Sequence, residues 1–530
     1  MRKTAIILAI LSSLIGYAQN TFVKSIAWYD DAHAIGIERV ATGGYVVAGS
    51  KSDSNPYDND AFIAKIDANG DTLWTRYFGN TTGEVIYDLT STADGGFAVT
   101  GSGTFNSQSG GTVMLVKFDS TGVIQWSRAY GGLNSSLGDE GWKVVQTNDG
   151  GFFIAGITFE FGPYPGVEDI YLLRIDSQGN LLWTRAYGTQ YHDEPTGLDK
   201  TSDGGFIISG RTDVSVSSTI HTDAFLMRVD SLGNNVWTKR YGGTGYEWGK
   251  CVHTLPNGDF MLTGDETSYH STQGYGVLIM RINPSGNVIW AKSYSQQNKN
   301  VVVFGSTLTA NNGIILTGYY ESWAGDRNVL NLRVDSVGTM VWQKHLGGTR
   351  DELCYDIAVA SDSGFVFVGG SVGFTSFTPS QAILLKSDLT GDHGCYDSLC
   401  NLTVTNANVN PVTMNLQQYT GGTGDTIIYP VWGGMGKYVY CTNNVGIETS
   451  ISGGLAVYPN PTADIINVTV EIGNLGQYIL YDVNGKMVMS TAFNGAFLID
   501  LSQCGSGIYY LRCETADATW TKRIIKTNIE

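Results

Sequence analysis

Along the chain a short apolar run recurs, opening on Tyr45, Phe97, Phe152, Phe206, Phe260, Ile314 or Phe365 and closing four residues later on glycine. The closing residues are Gly49, Gly101, Gly156, Gly210, Gly264, Gly318 and Gly369, at separations of 52, 55, 54, 54, 54 and 51. A glycine-bearing turn such as Asp94-Gly95-Gly96 or Asp203-Gly204-Gly205 precedes most of the runs, which is a hairpin signal. A second mark follows each run: a strand ending in a basic residue, an Asp or Asn, a glycine three residues on and then tryptophan, as in Arg174, Asp176, Gly179 and Trp183. Asp67, Asp119, Asp176, Asp230, Asn283, Asp335 and Asp388 open this turn, with Gly70, Gly122, Gly179, Gly233, Gly286, Gly338 and Gly391 inside it. An Asx side chain there bonds its own backbone while glycine takes positive φ, so these residues build turns.

Six copies add Trp74, Trp126, Trp183, Trp237, Trp290 and Trp342, a regular aromatic that packs neighbouring units together. Strands such as Phe225-Leu226-Met227 are apolar on both faces, as sheets sandwiched between similar sheets require. Four short strands per repeat of this length are the grammar of a propeller blade. The chain therefore reads as all-β, a seven-bladed β-propeller of four-stranded blades over 19–396. The seventh copy lacks its tryptophan, and Phe22-Val23-Lys24-Ser25-Ile26 aligns with Trp237 to Tyr241, so an N-terminal strand is expected to complete the last blade and remove an open edge.

The Asp-x-x-Gly-x-x-x-Trp turn resembles the tryptophan-docking repeat of quinoprotein-type propellers. The unit as a whole resembles secreted bacterial propellers with a Trp-x-Lys/Arg-x-Tyr-Gly-Gly opening. The resemblance implies fold more than activity. Quinoprotein dehydrogenases have eight blades, an adjacent cysteine pair and a calcium-bound cofactor; this chain has seven repeats and no adjacent cysteines, so no cofactor is expected. Residues 446–530 resemble a type IX secretion C-terminal sorting domain, type A, through Tyr458-Pro459-Asn460-Pro461, Tyr481-Asp482-Val483-Asn484-Gly485, Gly507 to Leu511 and Lys522 to Lys526. That implies the type IX machinery as a partner, passage across the outer membrane, and removal of the domain with release or surface attachment. The same stretch read by its turn spacing is a small β-sandwich of about seven strands. The Thr-, Asn- and Gly-rich segment 397–445 is either a strand-like extension of the propeller or a linker.

The first eighteen residues, basic at Arg2 and Lys3, apolar from Ala5 to Leu14 and small at Gly16 and Ala18, have the layout of a cleavable signal peptide. With no later apolar run of spanning length, a secreted or outer-surface location without a transmembrane segment is expected. A formal charge of −17 argues against a nucleic-acid partner. Seven cysteines leave at least one unpaired; Cys441 with Cys395 or Cys400, and Cys504 with Cys513, are candidate bridges.

The glycine turns are expected on one face and the longer, variable loops on the other, where recognition sits. Trp248, Trp323, Tyr191, Tyr164, Tyr269 and Tyr320 are the candidate binding rings there, suited to a glycan or a protein. Glu84, Glu140, Glu194, Glu247 and Glu352 follow the tryptophans at ten to fourteen positions and read either as a ring of acids at the channel mouth or as partners of the basic residues two after each tryptophan, such as Arg76, Arg185 or Lys239. No catalytic or metal site is expected. Gly369-Gly370-Ser371-Val372-Gly373 lacks the strand-to-helix elbow that makes such a serine reactive, the histidines show no ligand spacing, and Asp53, Asp58 and Asp60 miss the EF-hand pattern. The leading expectation is a noncatalytic surface or secreted binding protein; the alternatives are a glycoside hydrolase on a propeller and a passive structural component.

Overall fold

The computed structural model describes residues 21–27, 31–40, 43–52, 59–79, 83–103, 111–132, 138–216, 219–270, 273–321, 325–347, 350–372, 380–394, 397–398, 402–414, 416–419, 423–426, 431–432, 436–443, 455–458, 465–470, 475–482, 486–494, 497–515 and 519–526. Every regular element among them is a β-strand. The chain forms two compact units, Met1–Asn443 and Asn444–Glu530.

In the first unit the described strands make seven five-stranded antiparallel sheets, an arrangement consistent with propeller blades. Sheets 1 to 6 take their first four strands in order from Ala32 to Phe78, Glu84 to Gly131, Asp139 to Gly188, Asp193 to Tyr241, Glu247 to Ser295 and Val301 to Leu346. Sheet 7 takes three from Glu352 to Ser387 and its fourth from the other end of the chain, where Thr21–Ala27 pairs antiparallel with Gln381–Ser387 from Phe22↔Lys386 to Ile26↔Ala382. The first strand of each sheet packs on the first three strands of the sheet before it, and that of sheet 1 packs on sheet 7.

The core is accordingly divided into layers between sheets. Ile154, Tyr171 and Leu173 of sheet 3 meet Val113, Leu115 and Tyr130 of sheet 2, while Phe153, Leu172 and Tyr187 face Ile208, Phe225 and Met227 of sheet 4. Burial of both faces explains why the middle strands are apolar on both sides instead of alternating, as in Phe152–Ile157 and Ile170–Leu173.

The repeated marks have distinct jobs at these junctions. Gly70, Gly122, Gly179, Gly233, Gly286, Gly338 and Gly391 all have positive φ, and the preceding Asx oxygen accepts two backbone N–H bonds in each turn, as Asp176 does from Gln178 and Asn180. The tryptophan of one sheet lies against the turn glycine of the next, Trp183 on Gly233 and Trp126 on Gly179, where a Cβ would collide with the indole. Phe22 plays this part against Gly70. The fourth-strand tyrosine then donates to the same glycine's carbonyl: Tyr130 to Gly179 (2.8 Å), Tyr187 to Gly233 (2.6 Å), Tyr241 to Gly286 (3.0 Å) and Tyr294 to Gly338 (2.6 Å).

Segment 397–443 is an extension of the sheets. It visits their outer edges in reverse order: Asp397–Ser398 on sheet 6, Thr403–Asn406 on sheet 5, Val412–Thr413 on sheet 4, Gln417–Tyr419 on sheet 3, Thr423–Thr426 on sheet 2, Val431–Trp432 on sheet 1 and Gly436–Asn443 on sheet 7. Leu402, Val409 and Met414 drop from this belt into the layers between sheets. The last strand pairs with Thr21–Ala27, which is therefore held on both sides.

In the second unit a three-stranded sheet and a four-stranded sheet share one core of Ile466, Val468, Leu480, Phe493, Ile499, Leu511 and Ile524. The expected Cys504–Cys513 bridge is absent, and both are free thiols: Cys513 is buried in this core, while Cys504 belongs to the turn closed by its own N–H on the Leu501 carbonyl. Cys395, Cys400 and the side chain of Cys441 lie outside the described residues, as does the expected signal peptide.

Candidate functional site

Each of the seven first strands carries a β-bulge at the same place, between Ala34/Gly36, Ile86/Asp88, Gly141/Lys143, Pro195/Gly197, Gly249/Cys251, Val303/Gly305 and Cys354/Asp356. The glycine that closes each apolar run lies opposite the bulge. A Cβ at Gly156, for example, would overlap the Glu140 carbonyl oxygen, and one at Gly264 the Trp248 carbonyl oxygen. Those glycines are close-approach positions that let the first strand bend.

The extra residue of each bulge is Ile35, Tyr87, Trp142, Thr196, Lys250, Phe304 or Tyr355. All seven first strands line one cavity of about 610 Å³. Around it the rings approach one another: Tyr87 and Trp142 at 6.0 Å, Phe304 and Tyr355 at 5.2 Å, Phe304 and Tyr319 at 5.8 Å, and Tyr355 and His33 at 6.4 Å. Trp248 carries Lys250 Nζ 3.1 Å from its ring centroid and the Arg211 guanidinium at 4.5 Å, and its buried indole N–H has no acceptor. Arg211 pairs in turn with Glu194, and Lys250 stands 3.8 Å from Asp265. This collection of half-buried rings beside charged donors is suited to stacking and hydrogen-bonding an elongated polar ligand.

In the cavity lining, Asp88 binds Lys143 Nζ (3.1 Å) and accepts the Val144 N–H of sheet 3 (2.9 Å). Asp356 accepts the Ile37 N–H (2.9 Å) and Asp199 the Thr254 N–H (2.7 Å). These carboxylates tie one sheet's bulge to the next. Burial, then the charges of Asp356 and Asp88, push Glu38 up to about 8. Burial opposes the Lys143 charge, but Asp88 and Asp356 outweigh it and raise the ammonium's pKa. Burial lowers that of His253.

The five expected channel acids do not form one ring. Glu84, Glu247 and Glu352 are the first residues of their strands and point into the layers between sheets, where Asp139 and Asp193 are their equivalents in sheets 3 and 4; all five are at most 1% exposed. Glu140 and Glu194 are second residues and point the other way, because strand side chains alternate. Of the basic residues two after each tryptophan, Arg76, Arg185 and Lys239 cover their own indoles at 5.4, 5.0 and 6.0 Å. Glu140 accepts Trp142 Nε1–H (2.7 Å), and Glu247 the Gly243 N–H (2.7 Å).

Of the expected rings, Trp248 is a first-strand residue rather than a loop residue, two positions before Lys250 of the cavity lining. Tyr164 is exposed and Tyr191 half-buried on their loops. Tyr269 packs against the core between sheets 4 and 5, and Tyr320 is buried, stacked on His345 at 5.1 Å. Trp323 lies outside the described residues. No cluster of three or more His, Cys, Asp or Glu side chains able to hold a metal occurs among the described residues, and no described helix could cross a membrane.

Comparison with known proteins gives the second unit a definite assignment. Residues 456–527 match the family described as secretion system C-terminal sorting domain. This is a type IX sorting domain, and it directs the chain to export and to the cell surface or the medium. Among curated proteins, the chain is similar to the regulatory protein FlaEY of Caulobacter vibrioides, 32% identical over 92 residues, covering 15% of this chain and 10% of that protein. The chain thus spans about a tenth of that relative's length. Among solved structures, PorZ, a surface component of the type IX secretion system of Porphyromonas gingivalis, superposes with a TM-score of 0.28 at 10% identity, covering 93% of this chain and 81% of that one. The BSP domain of a biofilm-associated protein superposes with a TM-score of 0.12 at 9% identity, over 96% and 94% of the two chains. Scores this low define no shared fold.

Proposed function

We propose that this is an exported, noncatalytic binding protein in which the seven sheets close into a seven-bladed propeller, and that an elongated polar ligand, a glycan or a protein segment, is held at the aromatic end of the central cavity. The cyclic packing of the sheets and the single cavity shared by all seven first strands support the ring. The observation that carries the binding reading is the bulge: at its equivalent positions Tyr87, Phe304 and Tyr355 line the cavity, where a repeat built only for stability needs no aromatic ring. The sorting domain supplies the route to the surface through the type IX machinery, and the N-terminal eighteen residues are proposed as the signal for the first membrane.

A hydrolytic reading has less support. Glu168, pushed up to about 7 by burial and by Glu194, is hydrogen-bonded to that neighbour. Direct contact leaves no room for the roughly 5 to 9.5 Å that glycosidase carboxyl pairs keep between them. The test is a glycan and peptide array probed with the mature chain and with Tyr87→Ala/Tyr355→Ala, with reducing-sugar release assayed on every bound glycan. Saturable binding that the double variant loses, without sugar release, is the expected result. Release of sugar would overturn the noncatalytic reading, and silence on the array would leave the passive structural role.

A further inference from the structure

Three junctions between sheets carry an acid pair: a residue of the third strand of one sheet meets the first residue of the next sheet's first strand. At junction 1/2 these are Asp60 and Glu84, at 3/4 Asp169 and Asp193, and at 4/5 Asp223 and Glu247; Asn328 and Glu352 occupy the equivalent places at 6/7. Glycine follows the fourth strand's last large apolar residue, Phe78, Tyr187, Tyr241 or Leu346, because a Cβ at Gly79, Gly188, Gly242 or Gly347 would overlap the oxygen of Asp60, Asp169, Asp223 or Asn328. The carboxylates are thus packed directly on backbone.

What differs is the countercharge. At 1/2, Lys51 Nζ stands 3.5 Å from Asp60, and at 4/5, Arg240 donates to Asp223 at 2.7 Å. At 6/7 the first member is a neutral amide. At 3/4 the residue equivalent to Arg240 is Ala186, and the one equivalent to Lys51 is Thr158. Asp169 and Asp193 are both 0% exposed, and neither carboxylate oxygen of Asp169 has a hydrogen-bond partner. Asp193 has the Thr189 N–H (2.6 Å) and threonine hydroxyls around it, but no cation. The loop that precedes Asp169 also closes over it, with Gly162 so near that a Cβ there would overlap Oδ2. Two facing carboxylates sealed from water without a base are unstable as a doubly charged pair, since desolvation and mutual repulsion both act against ionisation.

We propose that the Asp169–Asp193 pair is a site for a hard divalent cation of the calcium class, which supplies at junction 3/4 the positive charge that Lys51 and Arg240 supply elsewhere. Carboxylate oxygens flanked by the hydroxyls of Thr189 and Thr212 suit calcium rather than zinc or copper, which favour nitrogen and sulfur. The ion fastens the loop at 159–168 to the start of sheet 4.

The probe is calcium itself. The mature full-length chain is stripped with a chelator and titrated with CaCl2, and in parallel with MgCl2, by calorimetry and by thermal unfolding. Saturable calcium binding with a rise in the thermal midpoint is expected, lost in Asp169→Asn and Asp193→Asn and kept in Asp139→Asn at the neighbouring junction. Absence of calcium binding to the wild-type chain overturns the site whatever the variants do, as does binding that both Asp169→Asn and Asp193→Asn retain. A stripped protein that is unaffected by calcium yet stabilised by Asp169→Asn would show that the pair shares a proton instead.

Discussion

Single residues in this protein work across junctions more than within their own sheet. The tyrosine of Trp-x-x-x-Tyr is the clearest case: its ring fills the layer between sheets and its hydroxyl reaches the next turn's glycine carbonyl. Removing that hydroxyl leaves a buried carbonyl without its donor, so Tyr187→Phe is expected to cost about 1 kcal/mol. Chemical denaturation of the chain with and without the substitution measures this directly, and a cost near zero would mean that the bond to Gly233 contributes nothing net. Much of the turn chemistry at this scale is legible in the residues alone, because an Asx side chain and a positive-φ glycine act locally. The tyrosine's bond is not, because its acceptor lies 46 positions away.

At the scale of elements, the belt is the feature with the largest consequence. Without it every one of the seven sheets would end on a strand with free N–H and C=O groups, the usual template for edge-to-edge association. A chain ending at Gly394 is therefore expected to self-associate in size-exclusion chromatography under conditions where a chain ending at Asn443 does not. Equal elution of the two, relative to their masses, would mean that the outer edges protect themselves. The belt's strands are as short as two residues, and its buried anchors, Leu402, Val409 and Met414, are single apolar residues among polar ones. No period-2 alternation long enough to read as a strand exists there, which is why the segment's composition resembles a linker. The bulges escape sequence reading for a related reason. One inserted residue makes two successive positions face the cavity, as the burial of Asp139–Gln146 and Glu352–Val359 records, and this breaks the alternation from which facing is inferred.

For the whole molecule the buried acids add up. Burial is the first cause in each case, pushing Glu38 and Asp169 to about 8, Glu247 and Glu168 to about 7, and Asp139, Asp193, Asp265 and Asp356 to about 6. An unfolded chain releases those protons near pH 4, so between about pH 4 and 8 the folded state holds more protons and stability falls as pH rises. In calcium-free buffer the thermal midpoint is expected to decline from pH 5 to pH 8, and Asp169→Asn should flatten the part above pH 7. A midpoint that climbs over this range would contradict the burial assigned to these groups. The repeat period, the turns, the aromatic docking residue and the strand that the N-terminus lends to sheet 7 were all determined by the sequence, because each depends on local conformation or on likeness between copies. Which carboxylates face one another, which rings enter the cavity and where the belt runs were decided only in the tertiary structure, since each arises from residues far apart in the chain meeting across a junction.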